Sequence, residues 1–130
     1  MKTNLLILPL ILLLSLGCRH LDPAGVYKGD QFLYQTDEAI VTGYDALHLF
    51  VSWEYRNRQL LSGTPQVKAA ADRVRKDSKA WFKTAYRLRD AYAANPTPEA
   101  RSALSDALRV INQALQESLD YLTKYAVKPN

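Results

Sequence analysis

Residues 67–92 read VKAAADRVRKDSKAWFKTAYRLRDAY, and this stretch decides the fold. Within it Val67, Ala71, Val74, Ser78, Trp81, Ala85, Leu88 and Tyr92 recur at alternating steps of four and three. That spacing places all of them on one stripe of an α-helix and is the seam of helices packed with a left-handed twist. The remaining positions hold Lys68, Arg73, Arg75, Lys76, Lys79, Lys83, Arg87 and Arg89. A half-buried strand would instead alternate in steps of two, and no useful length of the chain does so.

Both ends of the stretch are punctuated. Upstream, Ser62-Gly63-Thr64-Pro65 sets Gly63 where a helix C′ residue belongs, Thr64 as N-cap and Pro65 at the first helical position. Downstream, Asn95-Pro96-Thr97-Pro98-Glu99 stops the helix at Pro96 and begins another, with Thr97 as cap, Pro98 at its first position and Glu99 in its first turn. These breaks leave three segments without internal proline, at about 30–61, 65–94 and 98–126. The third repeats the four-three step in Leu104, Leu108, Ile111, Leu115, Ser118, Leu122 and Tyr125. In the first, Leu33, Ile40, Tyr44, Leu47 and Val51 form the stripe, broadened by Phe50 and Trp53. Helices of about 30 residues are about 45 Å long, and loops this short force neighbours to run antiparallel. The predicted fold is all-α: an elongated antiparallel three-helix bundle with coiled-coil-like seams.

Reflecting the chain about its two loops places Trp81, Leu47 and Ile111 in one central layer. There the Trp81 ring should contribute most to stability, with truncation costing about 3–5 kcal/mol. The same reflection sets Glu54 opposite Arg73 and Glu38 near Arg89. Segment 30–62 holds five acids and two bases, whereas segment 65–94 holds eight bases and three acids. An acidic first helix against a basic second one favours this pairing, although exposed ion pairs are each worth under about 1 kcal/mol.

Candidate chemistry is sparse. His48 reads as a half-buried packing residue, with Asp45 three positions before it as a potential orienter of the ring. Glu54 continues the first stripe one heptad after Leu47 and is the most conspicuous carboxylate; Arg58 one turn on, or Arg73 across the groove, can neutralise it. No His/Cys/carboxylate cluster has metal-ligand spacing, and there is no glycine-rich phosphate loop or nucleophile elbow. The chain is therefore read as a non-enzyme with no catalytic residue, no metal and no cofactor. The surface candidate is the basic face of the second helix, centred on Lys76, Lys79, Lys83 and Arg87, for anionic lipid headgroups, peptidoglycan carboxylates or an acidic envelope protein. The competing account is a solvated helix face, partly neutralised by the first helix. The net charge of +4 across 130 residues is too small for a dedicated nucleic-acid binder, so no nucleic-acid partner is expected.

The N-terminus supplies an address. Leu5 to Leu16 is a twelve-residue run interrupted only by Pro9 and Ser15, preceded by Lys2 and followed by Gly17 and the sole cysteine, Cys18. Twelve helical residues span about 18 Å against a hydrocarbon core of roughly 30 Å, so the run is an export signal rather than a span. The stretch Leu14-Ser15-Leu16-Gly17-Cys18 resembles the lipobox of bacterial lipoproteins. It departs from the commonest form, with Ser15 three before the cysteine and Leu16 two before it. The resemblance implies that residues 1–17 are a signal peptide, that Cys18 carries a diacylglyceryl group and an acyl chain such as palmitate, and that residues 18–29 are a tether. The domain is then 30–130. An ordinary secretory signal cut at the same place would leave the thiol bare. With Arg19 where an inner-membrane retention signal would resemble Asp, the expected address is the outer membrane, facing the periplasm.

A lipobox followed by a short helical domain resembles many small lipoproteins of bacteria and their prophages. What this implies is a non-enzymatic envelope scaffold or binding module. A phage lysis or exclusion lipoprotein is a narrower version of it. A different class, a small-ligand carrier or enzyme, would use an inter-helix pocket around Tyr44, His48 and Glu54.

Overall fold

The computed structural model describes residues 29–125, which form three helices: α1 (Gln31–Arg56), α2 (Pro65–Ala94) and α3 (Pro98–Tyr125). Each helix packs against the other two. Rings of Phe32 and Tyr92 meet at 5.1 Å and those of Tyr44 and Phe82 at 5.3 Å, so α1 and α2 are antiparallel. Gln66 at the start of α2 donates to the Tyr125 hydroxyl at the end of α3 (3.0 Å), which makes that pair antiparallel too. The all-α three-helix bundle expected from the spacing is the fold. The segment Gln31–Asn130 is a compact unit, and the core cluster is drawn wholly from it.

Local chemistry sets the helix ends. Thr97 caps α3 as expected, its Oγ1 accepting from the Ala100 N–H at 3.1 Å. Thr64 occupies the N-cap position of α2, but its hydroxyl donates back to the Leu61 carbonyl at 2.8 Å instead of capping. The first helix ends at Arg56, five residues short of the expected 61. Asn57 ends it: its side-chain amide donates to the Trp53 carbonyl at 2.8 Å, and its backbone N–H is shared between Trp53 and Glu54. An amide side chain that competes for helix carbonyls favours termination, and turns carry the chain on to Gly63. Before α1, Gly29 has φ 85°, in the left-handed region where a side chain is disfavoured. Residues 1–28, which hold the expected signal peptide, Cys18 and most of the expected tether, and residues 126–130 lie outside the described residues.

The core corrects two expectations. On α1 the buried residues are Leu33, Thr36, Ile40, Gly43, Leu47, Phe50 and Glu54, an unbroken alternation of three and four. Gly43, not Tyr44, holds the central position, and Tyr44 is exposed. In the central layer Leu47 and Ile111 are buried as expected, but the buried ring on α2 is Phe82, with Trp81 only half-buried. A glycine at 43 leaves room for α3 and for Phe82, whose edge lies 3.9 Å from where a β-carbon would be. The larger indole turns toward the α2–α3 surface, beside Arg73, Val110 and Glu117.

Candidate functional site

Eight cations lie on α2, and the structure divides them. Arg73 pairs with Glu117 of α3, not with Glu54. Arg89 grips Asp37, not Glu38, through two hydrogen bonds of 2.8 and 2.7 Å. Arg75 pairs with Glu54 across to α1 and with Asp72 on its own helix. Lys68 pairs with Asp72. Lys76, Lys79, Lys83 and Arg87 are exposed, and among the described residues no carboxylate lies within ion-pair distance of them.

That division follows from helix geometry. Phe82, Arg75 and Arg89 mark the flank of α2 turned to α1, while Arg73 marks the flank turned to α3. Steps of three and four carry Lys76, Lys79, Lys83 and Arg87 along the side opposite the buried Val67, Val74 and Ala85. The acids that bound the strip, Asp72 and Asp90, are already engaged by Lys68 and Arg75 and by Arg89. The four cations thus share one face of α2 and make no ion pair among the described residues; Asp77, half-buried, lies within their span but about 100° round the helix from Lys76.

Glu54 is explained by its neighbours. It is 1% exposed, and burial opposes its ionisation. Hydrogen bonds and charge from Arg75 and Arg58 outweigh burial and hold the carboxyl below its ordinary range. Burial likewise works against the Arg75 guanidinium, and Glu54 and Asp72 raise its pKa despite that. Hydrogen bonds to Asp37, against burial, raise that of Arg89. Asp72 is lowered chiefly by its hydrogen bond from Lys68. Together Lys68, Asp72, Arg75, Glu54 and Arg58 make a continuous chain of alternating charge. Three of its links are visible in the sequence as pairs three or four apart, but the link between Glu54 and Arg75 needs the register of two helices.

The groove between α1 and α2 gathers Tyr44, His48, Ser78, Arg75 and Phe82 around a volume of about 130 Å³. Glu54 lies outside that lining, bound to Arg75. Ligand pockets for drug-sized molecules run from about 300 Å³ upward, so this groove suits side chains or water rather than a held cofactor. His48 is exposed rather than half-buried, and its Nδ1 lies 3.4 Å from Ser52 Oγ rather than on Asp45. Among the described residues no three His, Cys, Asp or Glu side chains converge as metal ligands. Compared with protein-family models, curated proteins and solved structures, the chain matches none.

Proposed function

We propose that this protein is a non-enzymatic envelope lipoprotein: Cys18 is lipidated, and the three-helix bundle serves as a scaffold or binding module facing the periplasm from the outer membrane. The observation that carries this reading is the contrast on α2. Arg73, Arg75, Arg89 and Lys68 are engaged within the bundle, whereas Lys76, Lys79, Lys83 and Arg87 face outward and form no ion pair among the described residues. Charge left free on a bundle that closes its own core suits an external partner. The apolar run ending at Gly17-Cys18 supports the address. Among the described residues no helix is long and apolar enough to cross a membrane, and the reading assigns attachment to the acyl chains on Cys18. Two or three such chains give stable anchoring.

Metabolic labelling with a fatty acid tests the anchor. The mature protein should take up label, and Cys18→Ser should abolish labelling and leave the precursor uncleaved. An unlabelled mature wild-type protein would overturn the reading.

A further inference from the structure

We infer that the outer face of α2 rests on the anionic phospholipid headgroups of the membrane that carries the chain's own anchor. The location of that anchor rests on the reading above; the chemistry of the face does not. Lys76, Lys79, Lys83 and Arg87 are exposed and unpaired among the described residues, and the acids at either end of the strip are neutralised. Facing them, an anionic surface meets a net positive patch spanning about 16 Å of helix.

Position favours the protein's own membrane over a distant partner. Tyr92, near the end of α2, packs on Phe32 at the start of α1. The strip therefore begins about 10 Å from the end of the bundle where the chain from Cys18 enters, and reaches about 27 Å from it. The residues between Cys18 and α1 have a contour of at most about 45 Å, so the bundle can lie along the surface without strain on the tether. A domain held this close meets the surface at high effective concentration, which adds to the affinity that the four cations supply by themselves.

The neighbours of the strip favour headgroups over a wall polymer or an acidic protein. Tyr86, one turn after Lys83, is 46% exposed. Tyr44, with its ring against Phe82, and Val41, one turn before it, are each 54% exposed. Amphipathic tyrosine rings beside Lys and Arg match the layered chemistry of a membrane interface, where apolar carbon lies just beneath the charge. Cell-wall carboxylates would satisfy the cations but offer no such layer to Val41, Tyr44 and Tyr86.

The test uses the bundle of residues 30–130, which contains its whole core cluster and lacks Cys18, so that binding reports the face alone. It is floated with vesicles of phosphatidylcholine, with or without about one-third phosphatidylglycerol. Each cation near an anionic surface adds roughly fivefold to partitioning. The wild type should float only with the anionic vesicles, and less as salt rises past about 0.15 M. Lys76→Glu, Lys79→Glu and Lys83→Glu together should lower partitioning by at least about a hundredfold. The triple Gln variant should fall between, and circular dichroism should show both variants as helical as the wild type. Flotation with neither vesicle, equal flotation with both, or an undiminished reversal variant would overturn the inference. So would retention on isolated peptidoglycan in place of the vesicles. Fatty-acid labelling of Cys18 reports separately on the anchor, so the two readings can fail independently.

Discussion

Gly43 of α1 lies so close to Ile111 of α3 that a β-carbon at position 43 would stand 2.9 Å from the Ile111 γ2 methyl. A mid-helix glycine usually weakens its helix by about 1 kcal/mol. Here it sets the distance between two helices. Gly43→Ala should therefore destabilise the bundle: forcing a methyl into a packed layer costs about 1–3 kcal/mol, which exceeds the gain in helix propensity. Ile111→Leu removes the γ2 branch and should rescue the alanine variant in thermal unfolding of the double mutant. A Gly43→Ala protein more stable than wild type would refute this account.

Phe82, not Trp81, should dominate the central layer. Phe82 is 5% exposed, and Phe82→Ala should cost about 3–5 kcal/mol. Trp81→Ala removes a half-buried ring at the α2–α3 surface and should cost clearly less. Denaturant midpoints of the two variants compare them directly.

Arg75 and Glu54 should respond unequally to truncation. Glu54 is sealed in, its side chain 2% exposed, whereas the Arg75 side chain is 29% exposed and Arg58 43%. Removing Arg75 leaves a buried carboxylate held by Arg58 alone, at a cost of about 2–3 kcal/mol. Removing the carboxylate frees two arginines that can turn to water. Arg75→Ala should thus unfold at lower denaturant than Glu54→Gln.

Acid should expose the same pair. The folded-state pKa of Glu54 lies below its ordinary value of 4.5 because Arg75 and Arg58 outweigh the burial that opposes ionisation. A carboxylate depressed on folding contributes stability that is complete above the unfolded value and is lost as pH falls through the folded one. The melting temperature should be level from neutrality to about pH 5 and should fall below 4.5. Glu54→Gln should flatten that acid limb, with Asp72, lowered chiefly by its hydrogen bond from Lys68, supplying part of what slope remains.

Thr36 offers a substitution of the opposite sign. It is 1% exposed, and its hydroxyl has no hydrogen-bond partner among the described residues. Thr36→Val keeps the shape and removes an unsatisfied polar atom, so the bundle should gain about 1 kcal/mol. A less stable valine variant would point to a partner for the hydroxyl in solution.

The bounds of α2 and α3, and the outward position of Lys76, Lys79, Lys83 and Arg87, were determined by the sequence alone. Pro65, Pro98 and Thr97 act through local backbone chemistry, and helical spacing carries the four cations away from the apolar stripe whatever packs beneath it. The choice within each adjacent pair was left to the tertiary structure: Phe82 inward and Trp81 aside, Gly43 central and Tyr44 exposed. The same held for Arg75 over Arg73, two positions apart, as the partner of Glu54. Neighbours in a helix differ by about 100° in direction, so either member fits a stripe read by apolar type. A hydrophobicity pattern also passes over a glycine that packs by having no side chain. Only the rotation and register of three helices against one another, down to the approach of α3 at Gly43, select one member of each pair.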